Sequence, residues 1–275
     1  MSFTTADVVK LRKVTGAGMM DCKGALEDAG GDFDRAVEII REKGKLVAAK
    51  RADRDAAEGV VLTKISADGK TGALVVLNCE TDFVAKNENF IAFTNRILDV
   101  ALENNAANLD ALKAMSFDGR TIDAQVTEQT GVIGEKIELS YYGKINAETV
   151  IGYIHPGNKL ATLVGFNKSG VDVQVTKDVA MQVAAMAPVA VDKDSVPAET
   201  VEKELAIAKE KFRLEGKPEA MLDKIAQGAL QKFFQESTLL NQVYVKDGKI
   251  SIKEFLAKTD KDLTVTAFER YTLNV

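Results

Sequence analysis

Twice along this chain of 275 residues, two apolar runs joined by a tight turn are followed by a helical stretch. GVVLTKI, SADGKTG and ALVVLNC form the first instance, with Asp68-Gly69 at the turn. The helix after it carries Phe90, Phe93, Ile97 and Ala101 on one face and takes Asn87 as its N-cap. TVIGYIH, PGNK and LATLVGFN form the second, followed by the helical VTKDVAMQVAAM. This repetition, near residues 59–103 and 149–187, predicts two related α+β subdomains packed as a pseudo-repeat. The strands do not alternate with a series of crossover helices, which argues against a doubly wound nucleotide fold. No heptad pattern persists long enough for a fibrous coiled coil. The predicted fold is α+β with appended helical modules.

Residues 1–54 read as a three-helix unit with the start of a linker. Val8, Leu11 and Val14 mark the first helix, which TGAG stops. Met20, Cys22, Ala25, Leu26 and Ala29 mark the second, ending at Gly30-Gly31. Asp32 caps the third, whose stripe of Phe33, Ala36, Val37 and Ile40 is expected to end at Lys43-Gly44. Residues 43–58, KGKLVAAKRADRDAAE, then read as a partly helical, locally basic linker. The core is expected to divide into residues 55–140 and 141–275, with IGEKIELSYYGKI as a strand whose candidate partner is the one that follows. An antiparallel helical hairpin, turning at Gly216-Lys217-Pro218, is expected as an insertion at about 196–236. Its seam would set Val201, Leu205, Ala208 and Phe212 against Met221, Ile225 and Ala229. Strand-like LLNQVYV, a short helix at ISIKEFL and a last strand, LTVTAFERYTL, complete the reading.

Composition narrows the function. With 46% hydrophobic and 28% charged residues the chain is ordinary globular protein, not a disordered one. A net charge of −5 argues against a broad nucleic-acid surface, so no direct nucleic-acid partner is expected. No apolar stretch approaches the ~20 residues of a membrane span. MSFTTADVVKLRK lacks the basic region and apolar core of a secretory signal. The two cysteines, Cys22 and Cys79, sit apart in apolar contexts, and a cytoplasmic protein with reduced thiols is the simplest reading. There is one histidine, His155, no phosphate-loop or dinucleotide pattern, and no spacing for a metal site. No catalytic residue, metal or cofactor is therefore expected.

The segment NCETDFVAKN, residues 78–87, joins a buried strand to an amphipathic helix. Thr81 or Asp82 reads as an N-cap with Phe83 buried beneath it, or else the loop presents Phe83 to a partner. A ring held between two rigid elements loses little entropy on entering a partner's pocket. The apolar TGAGMMDCK is a turn between helices or an adaptable contact surface through Met19 and Met20. His155, at the tip of the second hairpin, reads alone as a turn residue.

Taken together, LRKVTGAGMMDCKGALEDAGGDFDRAVEIIREKG, AAKRADRDAAEGVV and NCETDFVAKNENFIAF resemble the bacterial elongation factor Ts family, from about Val8 to Phe268. The resemblance implies a ubiquitin-associated-like N-terminal domain, a two-subdomain core and an inserted helical hairpin. It implies a guanine-nucleotide exchange factor that binds elongation factor Tu in its GDP-bound and nucleotide-free forms, without bond chemistry. Asp82 and Phe83 match the family's intruding pair. Met19, Met20 and Lys23 fall in its docking region, Arg51 at a basic contact, Ile133-Gly134 at a core contact pair and His155 at a family histidine. A homodimer through the hairpin or core is left open. Three departures stand out: the family's usual QPFV reads QVYV at Gln242–Val245, Pro156 follows His155, and the chain ends at ERYTLNV where relatives often continue into a helical module. Two rivals compete: an adaptor blind to nucleotide, and a thiol or histidine enzyme using Cys22, Cys79 or His155.

Overall fold

The computed structural model describes residues 3–273; the outermost residues of the first and last predicted units, 1–2 and 274–275, lie outside that range. Three helices open it: α1 (Thr5–Thr15), α2 (Met19–Asp28) and α3 (Phe33–Lys50). They bury Val8, Leu11, Cys22, Ala25, Leu26, Ala36 and Ile40 against one another. Asp32 caps α3 as expected, its carboxylate accepting from the Arg35 N–H. Val14 departs from its expected place and is exposed.

The chain then forms β1 (Glu58–Ile65), β2 (Thr71–Cys79), the single turn α4 (Asp82–Ala85) and α5 (Glu88–Glu103). After them come α6 (Leu109–Ala114), the small hairpin β3 (Ser116–Phe117) and β4 (Arg120–Thr121), α7 (Ile122–Ile133) and β5 (Glu138–Asn146). The second repeat supplies β6 (Thr149–Ile154), β7 (Leu160–Phe166) and α8 (Val173–Met186). The remainder is α9 (Ala198–Leu214), α10 (Glu219–Ser237), β8 (Val243–Tyr244), β9 (Asp247–Ser251), α11 (Ile252–Thr259) and β10 (Val265–Thr272).

Helices and antiparallel strands occupy separate stretches, which makes the fold α+β. Two three-stranded sheets, β1-β2-β5 and β6-β7-β10, share one topology: a hairpin whose second strand takes a third partner from far along the chain. The partner of β5 is therefore β2, not the strand that follows it. Strand β2 is buried on both faces. Val75 and Leu77 face the helical side with α5, whereas Leu74 and Val76 face Val150, Ala161 and Leu163 of the other sheet. The period of two thus becomes a continuous apolar run, because both faces are covered.

The sheets exchange more than side chains. The carbonyl of Gly69, in the first hairpin's turn, accepts from the Val150 N–H at 2.8 Å, and that of Asn158, in the second turn, accepts from the Val61 N–H at 2.7 Å. Each hairpin tip thus bonds to the outer strand of the other sheet.

Helix α3 does not end at Lys43-Gly44; it continues to Lys50. Gly44 is there for proximity. A Cβ on Gly131 of α7 would lie 2.2 Å from the Gly44 Cα, so these two helices cross almost backbone on backbone. Arg41 pairs with Glu128 beside the crossing, at 3.5 Å.

Helices α9 and α10 lie along one another, with the inward positions of α10 shifted by one from the expected set. Leu222, Ala226 and Leu230 are buried, and Met221 is exposed. LLNQ is irregular rather than strand, with only Val243 and Tyr244 pairing into β8. The unusual Tyr244 is accommodated by a buried acid. Its hydroxyl donates to Asp178 of α8 at 2.6 Å, where Lys246 and Gln174 donate as well. Among the described residues no helix is long and apolar enough to cross a membrane.

Candidate functional site

The connection from β2 to α5 is held from both ends. Asn87 caps α5 by accepting from the Asn89 and Phe90 N–H groups. Ala85 is buried and Val84 packs on the core, so the single helical turn aims Phe83 outward. Phe83 is 83% exposed, which overturns the reading that buries it. Thr81 occupies the N-cap position of α4 without capping it. Its hydroxyl donates instead to Glu135 Oε1 at 2.6 Å, and the Glu80 and Thr81 N–H groups both donate to Glu135 Oε2. Asp82 pairs with Lys86 one turn along at 2.6 Å. That bond and charge, with a contribution from Lys159, hold its carboxyl below the usual range.

Phe83 stands at the rim of a cleft of about 630 Å³ between the three-helix unit and the core. Lys13 and Gly16 line one side, Asn87 and Phe90 another, and Gln129, Val132 and Ile133 of α7 the third. Gly134 ends α7 with φ of 78°, a left-handed conformation that costs an L side chain about 1–2 kcal/mol. The structure thus brings Phe83 and Ile133 to one cleft. Met19, Met20 and Lys23 lie outside its lining, on the first turns of α2; Met20 is 76% exposed and Lys23 faces Glu27 at 3.7 Å.

His155 is exposed in the second hairpin's turn, its Nδ1 2.9 Å from the Tyr153 hydroxyl. Lys159 of the same turn reaches back to Glu58 at 2.8 Å, which sets this tip beside the β2–α5 connection. Arg51 is engaged within the molecule, its guanidinium bonding both oxygens of Glu80 at 2.8 and 3.0 Å. Sequence reasoning missed Glu80 and Glu135. Neither belongs to an apolar pattern, and only their adjacency to the two singled-out pairs pointed to them.

Neither cysteine suits a nucleophile. Burial, reinforced by the charges of Glu135 and Glu58, pushes the Cys79 thiol up to about 12, and burial raises Cys22 as well. Neither is a thiolate near neutral pH, so the thiol-enzyme rival lacks its reagent. Among the described residues no three His, Cys, Asp or Glu side chains are grouped to hold a metal ion.

A family model described as elongation factor TS matches residues 80–275. A protein named elongation factor Ts from Porphyromonas gingivalis is 53% identical, over 100% of this chain and 99% of its own length. Namesakes from Christiangramia forsetii, 51% identical over 98% of both chains, and Chlorobium phaeobacteroides, 44% identical over 99% of both, agree. The chain belongs to the elongation factor Ts family.

Proposed function

We propose that this chain promotes guanine-nucleotide exchange on elongation factor Tu in the cytoplasm. It binds the GDP form, speeds GDP release and stabilises the nucleotide-free form until GTP enters. The observation that carries the reading is Phe83, a large apolar ring almost fully in water on a turn fixed at both ends. An exchange factor makes and breaks no bond. It binds the empty GTPase more tightly than the loaded one, and by linkage weakens GDP binding by the same factor. Phosphates are held by backbone N–H groups at a helix N-terminus and by Mg²⁺, so displacing the elements that support them is the economical route.

Phe83 acts as the wedge, with Asp82 beside it. Met19, Met20 and Lys23 of the ubiquitin-associated-like unit dock on the nucleotide domain, Ile133 of the cleft wall and Gly134 after it form a core contact, and His155 adds a contact from the second repeat. Fluorescent GDP release from elongation factor Tu tests this with the chain and its Phe83→Ala variant. Burying one such side chain is worth about 1.5–3 kcal/mol. Release at saturating factor should therefore slow by about tenfold to a hundredfold. Parent-like release by the variant eliminates the wedge. A complex equally stable with and without GDP leaves an adaptor.

A further inference from the structure

The segment that carries Phe83 is tied down by carboxylates as well as by the apolar packing of Val84 and Ala85. Glu135 accepts three hydrogen bonds from it, two from the Glu80 and Thr81 N–H groups and one from the Thr81 hydroxyl. Glu80 runs the connection in the other direction, its Oε1 accepting from the Lys136 N–H at 2.6 Å. Each segment thus supplies an acid to the backbone of the other. Arg51, directly after α3, closes the network on Glu80 from a third part of the chain. The Lys136 N–H, aided by Arg51, keeps Glu80 below the usual carboxylate range despite its partial burial, so Glu80 is ionised at neutral pH.

Two details separate this network from an ordinary loop anchor. Thr81 gives its hydroxyl to Glu135 although it stands where a threonine would cap α4. Moreover, Glu135 follows Ile133-Gly134 directly, so the same clamp fixes the ring and the far wall of its cleft relative to one another. An exposed ring on an unclamped turn would sample many orientations and lose that freedom on binding.

We infer that Glu135 and Glu80, braced by Arg51, are positioning residues that set the orientation in which Phe83 enters the GTPase. The inference rests on the wedge reading above. It gives Arg51 a role inside the molecule in place of a docking contact.

The test is GDP release from elongation factor Tu over a range of concentrations of the full chain, which separates the saturating rate from the half-saturating concentration. Glu135→Ala should lower the saturating rate about tenfold while the half-saturating concentration moves less than about twofold, because an orientation set before contact affects the step after docking. Thr81→Val, which removes one donor and keeps the shape, should lose about threefold, and Thr81→Ser should restore the rate. Added to Phe83→Ala, Glu135→Ala should cost nothing more, since it acts through that ring. Arg51→Ala and Glu80→Gln should each slow the saturating rate, and together no more than either alone. Melting curves establish that each variant is folded; a clamp that served stability alone would lower Tm and leave the saturating rate unchanged.

Parent-like saturating rates for Glu135→Ala and Thr81→Val, alongside a slow Phe83→Ala, overturn the positioning role and leave the wedge. A further loss from Glu135→Ala in the Phe83→Ala background overturns it too, by giving Glu135 a contact of its own. Parent-like release by Phe83→Ala overturns the wedge reading itself.

Discussion

Gly131→Ala is expected to loosen the three-helix unit from the core and raise the half-saturating factor concentration for GDP release about tenfold or more. The new methyl carbon would sit 2.2 Å from the Gly44 Cα and 3.1 Å from its carbonyl carbon, so backbone, not a flexible side chain, must give way. Overpacking of this kind costs about 1–3 kcal/mol, and here the strain falls on one helix crossing. The cleft beside Phe83 takes one wall from α1, through Lys13 and Gly16, and loses that wall if α3 backs away from α7. The bonds of Glu135 to the Phe83 segment are untouched and only Arg51, directly after α3, moves with that helix, so the saturating rate should fall no further than in Arg51→Ala. Gly44→Ala is the control. Its methyl would lie 3.5 Å from the Gly131 Cα, an ordinary contact, and alanine favours a helix interior by up to about 1 kcal/mol over glycine. Near-parent titrations for Gly44→Ala and shifted ones for Gly131→Ala are the expected pair. Identical curves for both would mean that the docked arrangement of the two units is immaterial to exchange.

Asp178→Ala is expected to lower Tm by roughly 4–10 °C. The acid is almost fully buried and accepts from the Tyr244 hydroxyl, the Lys246 ammonium and the Gln174 amide. Stranding the Tyr244 hydroxyl alone costs about 1–3 kcal/mol. Lys246 is half exposed and recovers water, so the tyrosine dominates the loss. Asp178→Ala/Tyr244→Phe should regain much of it, because no buried donor is then left unpaired; a double variant as unstable as the single one would refute this. Burial raises the Asp178 carboxyl, but its hydrogen bonds to Lys246, Tyr244 and Gln174 outweigh that and leave it below its ordinary value. Its contribution is therefore present above the unfolded value of about 4 and is lost as pH falls through the lower folded value. Asp178→Ala should flatten the acid limb of the stability profile below about pH 4 and leave a constant offset between pH 6 and 8.

The repeat was legible because its signals are local. Asp68-Gly69 marks a turn, Asn87 a cap, and ALVVL a strand, each within a few residues. What failed depended on distant partners. Gly44 reads as a helix stop because glycine is a poor helix former, yet it lies within α3 because Gly131 passes so close. The sequence boundary at residue 140 falls inside β5, whose place is settled by pairing with β2. In α10 two stripes share the same spacing, and only contact with α9 chooses Leu222, Ala226 and Leu230. At the candidate site the motif singled out Phe83, but a lone aromatic in a connection has no period to say whether it points in or out. Glu135 was invisible for a related reason. Two of its three donors are backbone N–H groups, which place no demand on residue identity, and the third is a threonine that reads as a cap.

The exchange of hairpin tips sets a condition on the order in which the chain becomes safe. Until the turn holding Asn158 has been made, β1 offers the Val61 N–H on an open strand edge, a template for pairing with another chain. The first repeat leaves the ribosome before the second, so every nascent molecule passes through a stage with that edge uncovered. Val150 and Gly69 then complete the mutual closure together. Each half takes a bond to its outer strand from the turn of its copy.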